Sequence, residues 1–372
     1  MAPPRAPFRA DHVGSLLRPP ALKTLRLDAE AGRAPAAELA AAEDAAVREA
    51  VRLQEEVGLL GVTDGEMRRR SWHMDFLTRL GGLASEGKQL PVTFHGRAGD
   101  VNFTRPDLRV AARVGRPAPI FVDAFRFLRA ATSRTAKLTI PSPCMLYSQV
   151  GRANIDRAVY PDLDAFVEDT AAAYRAEIAD LYAAGCRYLQ LDDVSLAYLC
   201  DEDMRAQGRA RGEDPDEVLA LSVKLVRATL RDRPPDLVAC THLCRGNFRS
   251  SWRAQGGYEK VAEVIFNQMP YDGFFLEFDD ARSGDFSPLR HAPKHVRVVL
   301  GLVTTKVGTL ERKADLRRRL DEASRYIPMD QLGVSPQCGF SSTIEGNAVA
   351  LEHQWAKLAL CVELATEVWG GL

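Results

Sequence analysis

Cysteine is scarce in this chain, which also has neither a long apolar run nor an excess of charge. Seven cysteines among 372 residues form an odd and sparse set, which predicts reduced thiols, some of them free to bind a metal, and no disulfide framework. The formal net charge of −1 gives no reason to expect nucleic acid or an anionic membrane as a partner. No stretch of about 18 apolar residues is present, which argues against a membrane-spanning helix. The first residues lack the apolar core of a signal peptide, so we expect a cytoplasmic protein.

The chain also lacks the glycine-rich turns that bind nucleotides, and this absence bears on its fold. Predicted strands alternate with helices along the sequence, which implies a parallel sheet with helices outside it. Eight such units predict an α/β fold of the closed (β/α)8 TIM-barrel type. The alternative is an open doubly wound sheet, but no G-x-G-x-x-G turn follows the first predicted strand.

The predicted barrel forms a single domain over residues 1–372. Residues 1–8 are rich in proline and expected to be loose. Residues from about 85 to 118 contain alternating patches, which we interpret as an inserted hairpin or loop region after strand 2. The clearest predicted helices cover residues 35–57, 161–184 and 214–232.

Residues able to bind a metal stand at the ends of three predicted strands. In a barrel of this type, the carboxyl ends of all strands face one mouth, where the chemistry takes place. The fifth strand ends at His242 and Cys244, whose two-residue spacing points both side chains to one side. The sixth ends at Glu277 and the eighth at Cys338. Two thiolates, one imidazole and one carboxylate suit Zn²⁺ better than Fe²⁺ or Co²⁺.

Each of these four residues has an ordinary explanation when it is taken alone, such as a buried thiol or a hydrogen-bonded histidine. Their joint placement at one mouth is what predicts a metal site. Two thiolates and a carboxylate would give zinc a net negative set of ligands, which suits activation of a thiol better than activation of water. The expected reaction is therefore alkyl transfer to a thiol, because water-activating zinc sites are usually richer in histidine.

These motifs resemble the zinc-binding barrel of the cobalamin-independent methionine synthase family. The resemblance rests on His242-Leu243-Cys244, on Glu277 after Phe-Phe-Leu, and on Ser335-Pro336-Gln337-Cys338-Gly339. It extends to residues 13–15, 64–66 and 191–193, and covers nearly the whole chain from about residue 8 onward. It is strongest for short, stand-alone members of the family. The wider superfamily includes uroporphyrinogen decarboxylase and the epoxyalkane–coenzyme M transferases.

The resemblance implies roles for particular residues. His242, Cys244, Glu277 and Cys338 would be zinc ligands. Gly14, Ser15, Glu66 and Asp192 fall where the family binds the amino and carboxylate groups of homocysteine. The implied reaction is methyl transfer from 5-methyltetrahydrofolate, usually polyglutamylated, to homocysteine, which gives methionine.

The sequence departs from the family at two positions that bear on catalysis. Lys306 stands where the family has an acid/base histidine, and an ordinary lysine is too weak an acid to protonate the folate nitrogen readily. Asp192-Asp193-Val194 replaces Asp-Glu-Pro. Lys306 and Asp193 are therefore candidate catalytic residues, while the thiol can differ from homocysteine and the methyl donor can be a reduced folate or a corrinoid carrier. Trp72, as a stacking partner for a pterin, and Trp252, as part of a lid, are candidate donor-binding residues.

Three other functions compete with this one. A zinc alkyltransferase could use another thiol, such as coenzyme M, to open an epoxide. The sulfonate of coenzyme M would then be expected to bind Arg18, Arg68 or Arg69 in the mouth. A metal-free enzyme resembling uroporphyrinogen decarboxylase would bind a large polyanionic macrocycle. A non-enzymatic zinc store would leave Gly14-Ser15, Glu66 and Asp192 without a role.

Overall fold

A computed structural model describes residues 5–97 and 99–372 of the chain. The strands are β1 (Gly61–Val62), β2 (Gly81–Ala84), β3 (Gln89–Phe94), β4 (Val101–Pro106), β5 (Arg109–Gly115), β6 (Thr135–Pro141), β7 (Tyr188–Asp193), β8 (Val238–Leu243), β9 (Gly273–Glu277), β10 (Arg297–Val303) and β11 (Leu332–Pro336). The α-helices are α1 (Pro20–Glu30), α2 (Ala36–Glu56), α3 (Met74–Leu77), α4 (Val122–Ala131), α5 (Cys144–Val150), α6 (Asp164–Ala183), α7 (Ser195–Tyr198), α8 (Glu202–Ala210), α9 (Pro215–Leu230), α10 (Glu259–Gln268), α11 (Lys313–Ala323) and α12 (Leu351–Trp369).

The centre of the fold is a seven-stranded sheet in the order β1-β6-β7-β8-β9-β10-β11. All of its neighbouring strands pair in parallel. Parallel pairing requires a crossover between consecutive strands, and long helices such as α6, α9 and α11 supply it. The chain thus has a mixed α/β fold whose curled parallel sheet resembles that of a TIM barrel. The ladder has seven strands, whereas the sequence predicts eight.

The segment expected to form the first strand pairs with the sheet at isolated points only. Ala10 makes a single parallel bridge to Val334 on β11. Further along, Leu16 N donates to Gly65 O at 3.0 Å. Between these points Gly14 has a φ of 143°, a conformation that interrupts a regular strand and that residues with a Cβ rarely adopt.

The helices follow the sequence pattern closely. The predicted helices at 35–57, 161–184 and 214–232 are confirmed as α2, α6 and α9. The start of α9 shows the physical reason, because the Asp214 side chain accepts a hydrogen bond from Asp216 N and Pro215 occupies the first turn.

Residues 81–115 form two antiparallel pairs, in which β2 pairs with β5 and β3 pairs with β4. They occupy most of the region interpreted as an insertion, but they begin earlier than expected. The hairpin of β3 and β4 docks on the segment after β8, where His95 N donates to Trp252 O at 2.5 Å and Trp252 N donates to His95 O at 2.8 Å. Phe103 packs against Phe248 with ring centroids 4.8 Å apart. The hairpin is therefore held against the carboxyl ends of the central strands.

A buried carboxylate joins the N-terminal segment to the bottom of the sheet. Asp11 Oδ1 accepts hydrogen bonds from Lys137 Nζ at 3.0 Å and from His12 N at 2.8 Å. Asp11 Oδ2 accepts from the Tyr188 hydroxyl at 2.7 Å and from Phe8 N at 3.2 Å. Asp11 and Lys137 are both fully buried, so each charge depends on the other.

The structure differs in part from the expectation that residues 1–8 are loose. Residues 1–4, part of the segment expected to be loose, lie outside the described residues. Pro7 and Phe8 belong to the same predicted segment, yet the structure buries both. The Phe8 ring packs edge-on against Tyr188, with centroids 6.1 Å apart, because its side chain covers the apolar bottom of the sheet.

We predict that Asp11→Asn will destabilise the protein by about 3–5 kcal/mol, because it leaves the buried Lys137 without its counter-charge. The midpoint of urea unfolding measures this loss. The control is Asp315→Asn, which breaks an exposed contact with Arg312 and should cost less than about 1 kcal/mol. Equal midpoints for the two variants would contradict the role of Asp11.

Candidate metal centre and substrate cavity

Four side chains converge at the carboxyl ends of β8, β9 and β11. The potential ligand atoms of His242, Cys244, Glu277 and Cys338 all lie within 4.8 Å of one another, and all four residues are buried. The sulfurs of Cys244 and Cys338 are 3.3 Å apart. The structure therefore brings together the four residues predicted as metal ligands.

The hydrogen bonds around this cluster leave particular atoms free for a metal. His242 Nδ1 lies 3.2 Å from Phe275 O, which favours donation from Nδ1 and leaves the Nε2 lone pair free. Glu277 Oε1 accepts a hydrogen bond from Arg245 N at 3.1 Å. Among the residues that the structure describes, His242 Nε2 and Glu277 Oε2 are buried without a hydrogen-bond partner. Buried polar atoms without a partner are costly, and a cation at this point would satisfy both.

The thiols of the cluster differ in their readiness to ionise. Contact with the Cys244 thiol holds the pKa of Cys338 well below its usual range. The same contact, together with burial, raises the pKa of Cys244. Cys338 is therefore the preferred thiolate of the pair.

Lys306 lies close to this cluster but outside the cavity described below. Its ammonium group is buried and has no hydrogen-bond partner within residues 5–97 and 99–372. Burial raises the pKa of Glu277, and the charge of Lys306 opposes that rise. Lys306 is thus placed to offset negative charge on the four-residue cluster.

A cavity of about 790 Å³ opens beside the four-residue cluster. Three of the cluster's residues line it, and so do three of the four predicted homocysteine-binding residues, Ser15, Glu66 and Asp192. Trp72, a candidate donor-binding residue, also lines it. A cavity of this size accommodates more than one small substrate.

Two of the cavity residues are buried carboxylates held by different contacts. Glu66 Oε1 accepts from the Thr139 hydroxyl at 2.8 Å, while Glu66 Oε2 has no partner in the described part of the chain. Asp192 accepts from Gln190 Nε2 at 2.6 Å. Burial raises the pKa of Glu66 above its usual value, and burial raises the pKa of Asp192 to about 7. Arg69 Nη1 lies 3.4 Å from Glu66 Oε1, and its charge opposes the rise in the pKa of Glu66. The wall thus holds two buried carboxylates, one of which already has a cationic neighbour.

Five of the predicted site residues do not line the cavity: Gly14, Glu277, Lys306, Asp193 and Trp252. Asp193 accepts hydrogen bonds from Ser195 Oγ at 2.6 Å and Leu196 N at 3.0 Å. These local contacts hold its Oδ1 at the start of the short helix α7, while its Oδ2 is buried without a hydrogen-bond partner among the described residues. A catalytic role for Asp193 stays a prediction. Trp252 pairs with the hairpin through His95. Gly14 acts through its backbone, since a Cβ there would lie 2.6 Å from the Thr139 side chain.

Arg18, Arg68 and Arg69 were expected in the mouth if the substrate carried a sulfonate, but none of them lines the cavity. Arg18 donates to main-chain oxygens, among them Glu66 O at 2.7 Å. Arg68 pairs with the Asp44 carboxylate at 2.5 Å. Arg69 donates to Thr139 O at 2.7 Å. These side chains support the walls of the site and do not offer charge to a ligand.

Sequence reasoning missed the contribution of the β3–β4 hairpin to the cavity wall. Phe94, Phe103 and Arg105 line the cavity from the hairpin, and Tyr198 and Arg253 line it from other elements. The signal is absent from the sequence because the hairpin reaches the mouth through a long-range docking contact, which no local pattern encodes.

Comparison with known proteins identifies the family. The family described as "Cobalamin-independent synthase, Catalytic domain" matches residues 8–366. The chain belongs to this family. YxjG and YxjH of Bacillus subtilis, which have no assigned activity, are 44% and 43% identical to it over 98% of this chain and 96% of each relative. The predicted family membership is thus confirmed, together with the prediction of a methyltransferase of this type.

Solved structures and named enzymes extend the comparison. A putative vitamin-B12-independent methionine synthase of Listeria monocytogenes is 35% identical, with a TM-score of 0.79 over 98% of this chain and 99% of that chain. A B12-independent methionine synthase of Shewanella, in complex with selenomethionine, shares the fold at 19% identity and a TM-score of 0.74 over 97% of each chain. A 5-methyltetrahydropteroyltriglutamate–homocysteine methyltransferase of Synechococcus is 25% identical over 90% of this chain, which spans only 41% of that longer enzyme.

The helices carry no membrane signal. Among the described residues, no helix combines the length and the apolar character needed to cross a bilayer.

We predict that removal of any bound metal will expose Cys244 and Cys338 to selective oxidation. Their sulfurs are 3.3 Å apart and Cys338 is the preferred thiolate, so a mild oxidant should join them in a disulfide. Mass spectrometry of peptides from chelator-treated protein measures this pairing. The buried thiols of Cys200 and Cys361 serve as internal controls and should stay reduced. Oxidation that spares the pair, or joins other cysteines first, would contradict the geometry.

Proposed function

We propose that this chain is a zinc-dependent methyltransferase that moves a methyl group from a reduced folate to the sulfur of homocysteine, giving methionine. The observation that carries the proposal is the buried cluster of His242, Cys244, Glu277 and Cys338, which adjoins a cavity lined by Glu66. The family and its named homocysteine methyltransferases support the same reaction.

Zinc is the metal that fits the donor set best. Two sulfurs, an imidazole nitrogen and a carboxylate oxygen match its preference for four mixed ligands, while hard cations such as Mg²⁺ prefer oxygen alone. When bound there, zinc would lower the pKa of an incoming thiol and leave its sulfur nucleophilic. The contact between His242 Nδ1 and Phe275 O would hold the imidazole in the orientation for binding.

The thiol substrate would lie between the cluster and the two carboxylates. Its sulfur would approach Cys244 and Cys338, while its ammonium group would face Glu66 and Asp192, as in an amino-acid thiol such as homocysteine. Desolvated carboxylates bind an ammonium strongly, because water competes poorly for them. Coenzyme M carries a sulfonate and no ammonium, so it would leave both buried carboxylates without a cationic partner. Arg18, Arg68 and Arg69 do not line the cavity, but Arg105 and Arg253 do and could contact a sulfonate, so the buried carboxylates are what favours an amino-acid thiol.

The methyl donor would occupy the outer part of the cavity. Trp72 lines it there, and its ring lies 4.6 Å from that of His73, which offers a surface for a flat heterocycle. A corrinoid carrier protein is the alternative donor. We further propose that the segment 9–16 takes the place of an eighth strand, so that the strand ends enclose one mouth.

Lys306 would offset the negative charge of the ligand set, and it would not be the proton donor to the folate. Its buried ammonium does not line the cavity, whereas the ligand set with zinc would carry a net negative charge. A nearby cation stabilises such a set. The proton for the leaving nitrogen would then come from a group on the cavity wall or from water.

Cys338→Ser should remove both zinc and methyl transfer, because it deletes one of the two soft ligands. Metal analysis of the purified protein measures zinc per chain, which should be close to one in the wild type and well below it in the variant. Cys200→Ser is the matched control, since it changes a buried thiol outside the cluster. Full zinc content and activity in Cys338→Ser would refute the proposal.

An assay with homocysteine, cysteine and coenzyme M as competing thiols identifies the acceptor.

Glu66→Gln should raise the KM for homocysteine by about tenfold or more, because a hydrogen bond between charged groups contributes about 1.5–3 kcal/mol. Steady-state kinetics with each substrate varied in turn measure the effect. The KM for the methyl donor should change little. Glu352→Gln, on the exposed side of α12, is the control. An unchanged KM for homocysteine would place the ammonium group elsewhere.

A further inference from the structure

Two arginines line the substrate cavity without an acidic partner. Arg105 projects from β4 and Arg253 from the segment after β8. Across residues 5–97 and 99–372, no carboxylate oxygen lies within 4.0 Å of either guanidinium. The arginine side chains that support the walls are different, since Arg68 and Arg69 are paired or hydrogen-bonded.

The local hydrogen bonds leave the donors of this arginine pair almost unused. Arg105 makes one long contact, from Nη1 to Pro106 O at 3.5 Å. In the described chain the Arg253 side chain makes no hydrogen bond, although its guanidinium lies 5.1 Å from the centre of the Tyr198 ring. Each guanidinium carries five N–H donors in a planar fork, so most of these donors face the cavity or water.

The two arginines are near enough to repel each other. Burial lowers the pKa of Arg105, and the charge of Arg253 lowers it further. Asp107 acts in the opposite direction, but it is half-buried and engaged by the Ser85 hydroxyl at 2.8 Å. Two half-buried like charges without a counter-ion raise the free energy of the folded protein. A bound anion would remove that cost.

Both arginines are held in place by the docking of the hairpin. His95 and Trp252 exchange backbone hydrogen bonds next to Arg253, and Arg253 N itself donates to Arg245 O at 2.9 Å. Phe103, which lies two residues before Arg105, packs on Phe248. The backbone around the arginine pair is therefore fixed before a ligand arrives, which reduces the entropy cost of binding.

Tyr198 connects the arginine pair to the metal centre. Its hydroxyl has no hydrogen-bond partner in the described structure, and the residue lines the cavity. The charges of Arg253, Cys244 and Arg105 all act on it. Burial raises the pKa of Tyr198, so the hydroxyl stays protonated and can donate. The arginine pair, Tyr198 and Cys244 all line one cavity, so the anion site opens on the same cavity as the four-residue cluster.

We propose that Arg105 and Arg253, with the Tyr198 hydroxyl, form an anion-binding subsite that holds a carboxylate of the methyl donor. This inference rests on the proposed function. The acceptor already has its own contacts at the carboxyl ends of the central strands, where the cluster would bind its sulfur and Glu66 with Asp192 would bind its ammonium group. The arginine pair and the hairpin aromatics line the part of the cavity that the β3–β4 hairpin and the segment after β8 form together. Arginine forks match carboxylate geometry, so a donor with an acidic side chain would be oriented there.

Calorimetric titration of the zinc-loaded protein with 5-methyltetrahydrofolate tests the subsite. Arg105→Gln and Arg253→Gln should each weaken binding by about tenfold to a hundredfold, because each removes charged hydrogen bonds. The affinity for homocysteine should stay within about twofold of the wild type. Arg109→Gln is the matched control, since Arg109 is exposed on neighbouring β5 and does not line the cavity.

A thermal melt separates a binding role from a structural role. If the arginine pair exists for a ligand, Arg105→Gln and Arg253→Gln should melt at or above the wild-type temperature without ligand, because the repulsion is relieved. A clear fall in melting temperature would mark both as structural and overturn the proposal. Unchanged donor affinity in the double variant would also overturn it, as would an equal loss of homocysteine affinity.

Inorganic phosphate distinguishes failure of the subsite from failure of the proposed function. If wild-type protein does not bind 5-methyltetrahydrofolate at all, the proposed donor is wrong, and so is the assignment of the subsite to it. The anion site itself can still be tested by phosphorus NMR titration with phosphate. Broadening that requires both Arg105 and Arg253 supports an anion site, whereas equal broadening in the double variant refutes it.

Discussion

The structure depends on holding four side chains that could bind a metal together in a buried place. Two thiols, an imidazole and a carboxylate lie within 4.8 Å of one another, and two of their atoms lack any hydrogen-bond partner among the described residues. Such a cluster is costly without a cation, because buried polar atoms normally find partners. The strands that carry it lie in the interior of the protein, since β8, β9 and β11 are fully or almost fully buried within the parallel sheet.

Buried contacts stabilise the fold at both ends of the central sheet. At the bottom of the sheet, Asp11 joins the N-terminal segment to Lys137 on β6 through a fully buried pair. At the top, the β3–β4 hairpin docks beside the cluster and adds aromatic and basic groups to the cavity. The site is thus composed of two parts: the candidate metal ligands at the ends of the central strands, and a wall that adds aromatic and basic side chains to the cavity.

The sequence allowed prediction of the part of the site that lies on strands. His242 and Cys244 share a face because of the two-residue period of a strand, and parallel alternation brings the ends of β8, β9 and β11 to one edge. The regular helices followed from periodicity and capping, as Asp214 and Pro215 show. What could not be predicted depends on long-range contacts. The docking of the β3–β4 hairpin on the segment after β8, where His95 and Trp252 exchange backbone hydrogen bonds, is such a contact.

The same limit applies to the N-terminal segment and to the arginine pair. Phe8 belongs to a stretch that looks loose in the sequence, but burial beneath the sheet fixes it. Arg105 and Arg253 are far apart in the chain and meet only because the hairpin docks on the segment after β8. Composition and periodicity indicate which local secondary structure a segment prefers, but they do not predict how one element docks on another.

X-ray absorption spectroscopy of the purified protein at the zinc edge, with and without homocysteine, tests the central claim most directly. The account predicts zinc with two sulfur neighbours in the free protein and three after homocysteine is added, because the thiol joins Cys244 and Cys338. A metal with no sulfur neighbours, or a sulfur count that homocysteine leaves unchanged, would contradict it.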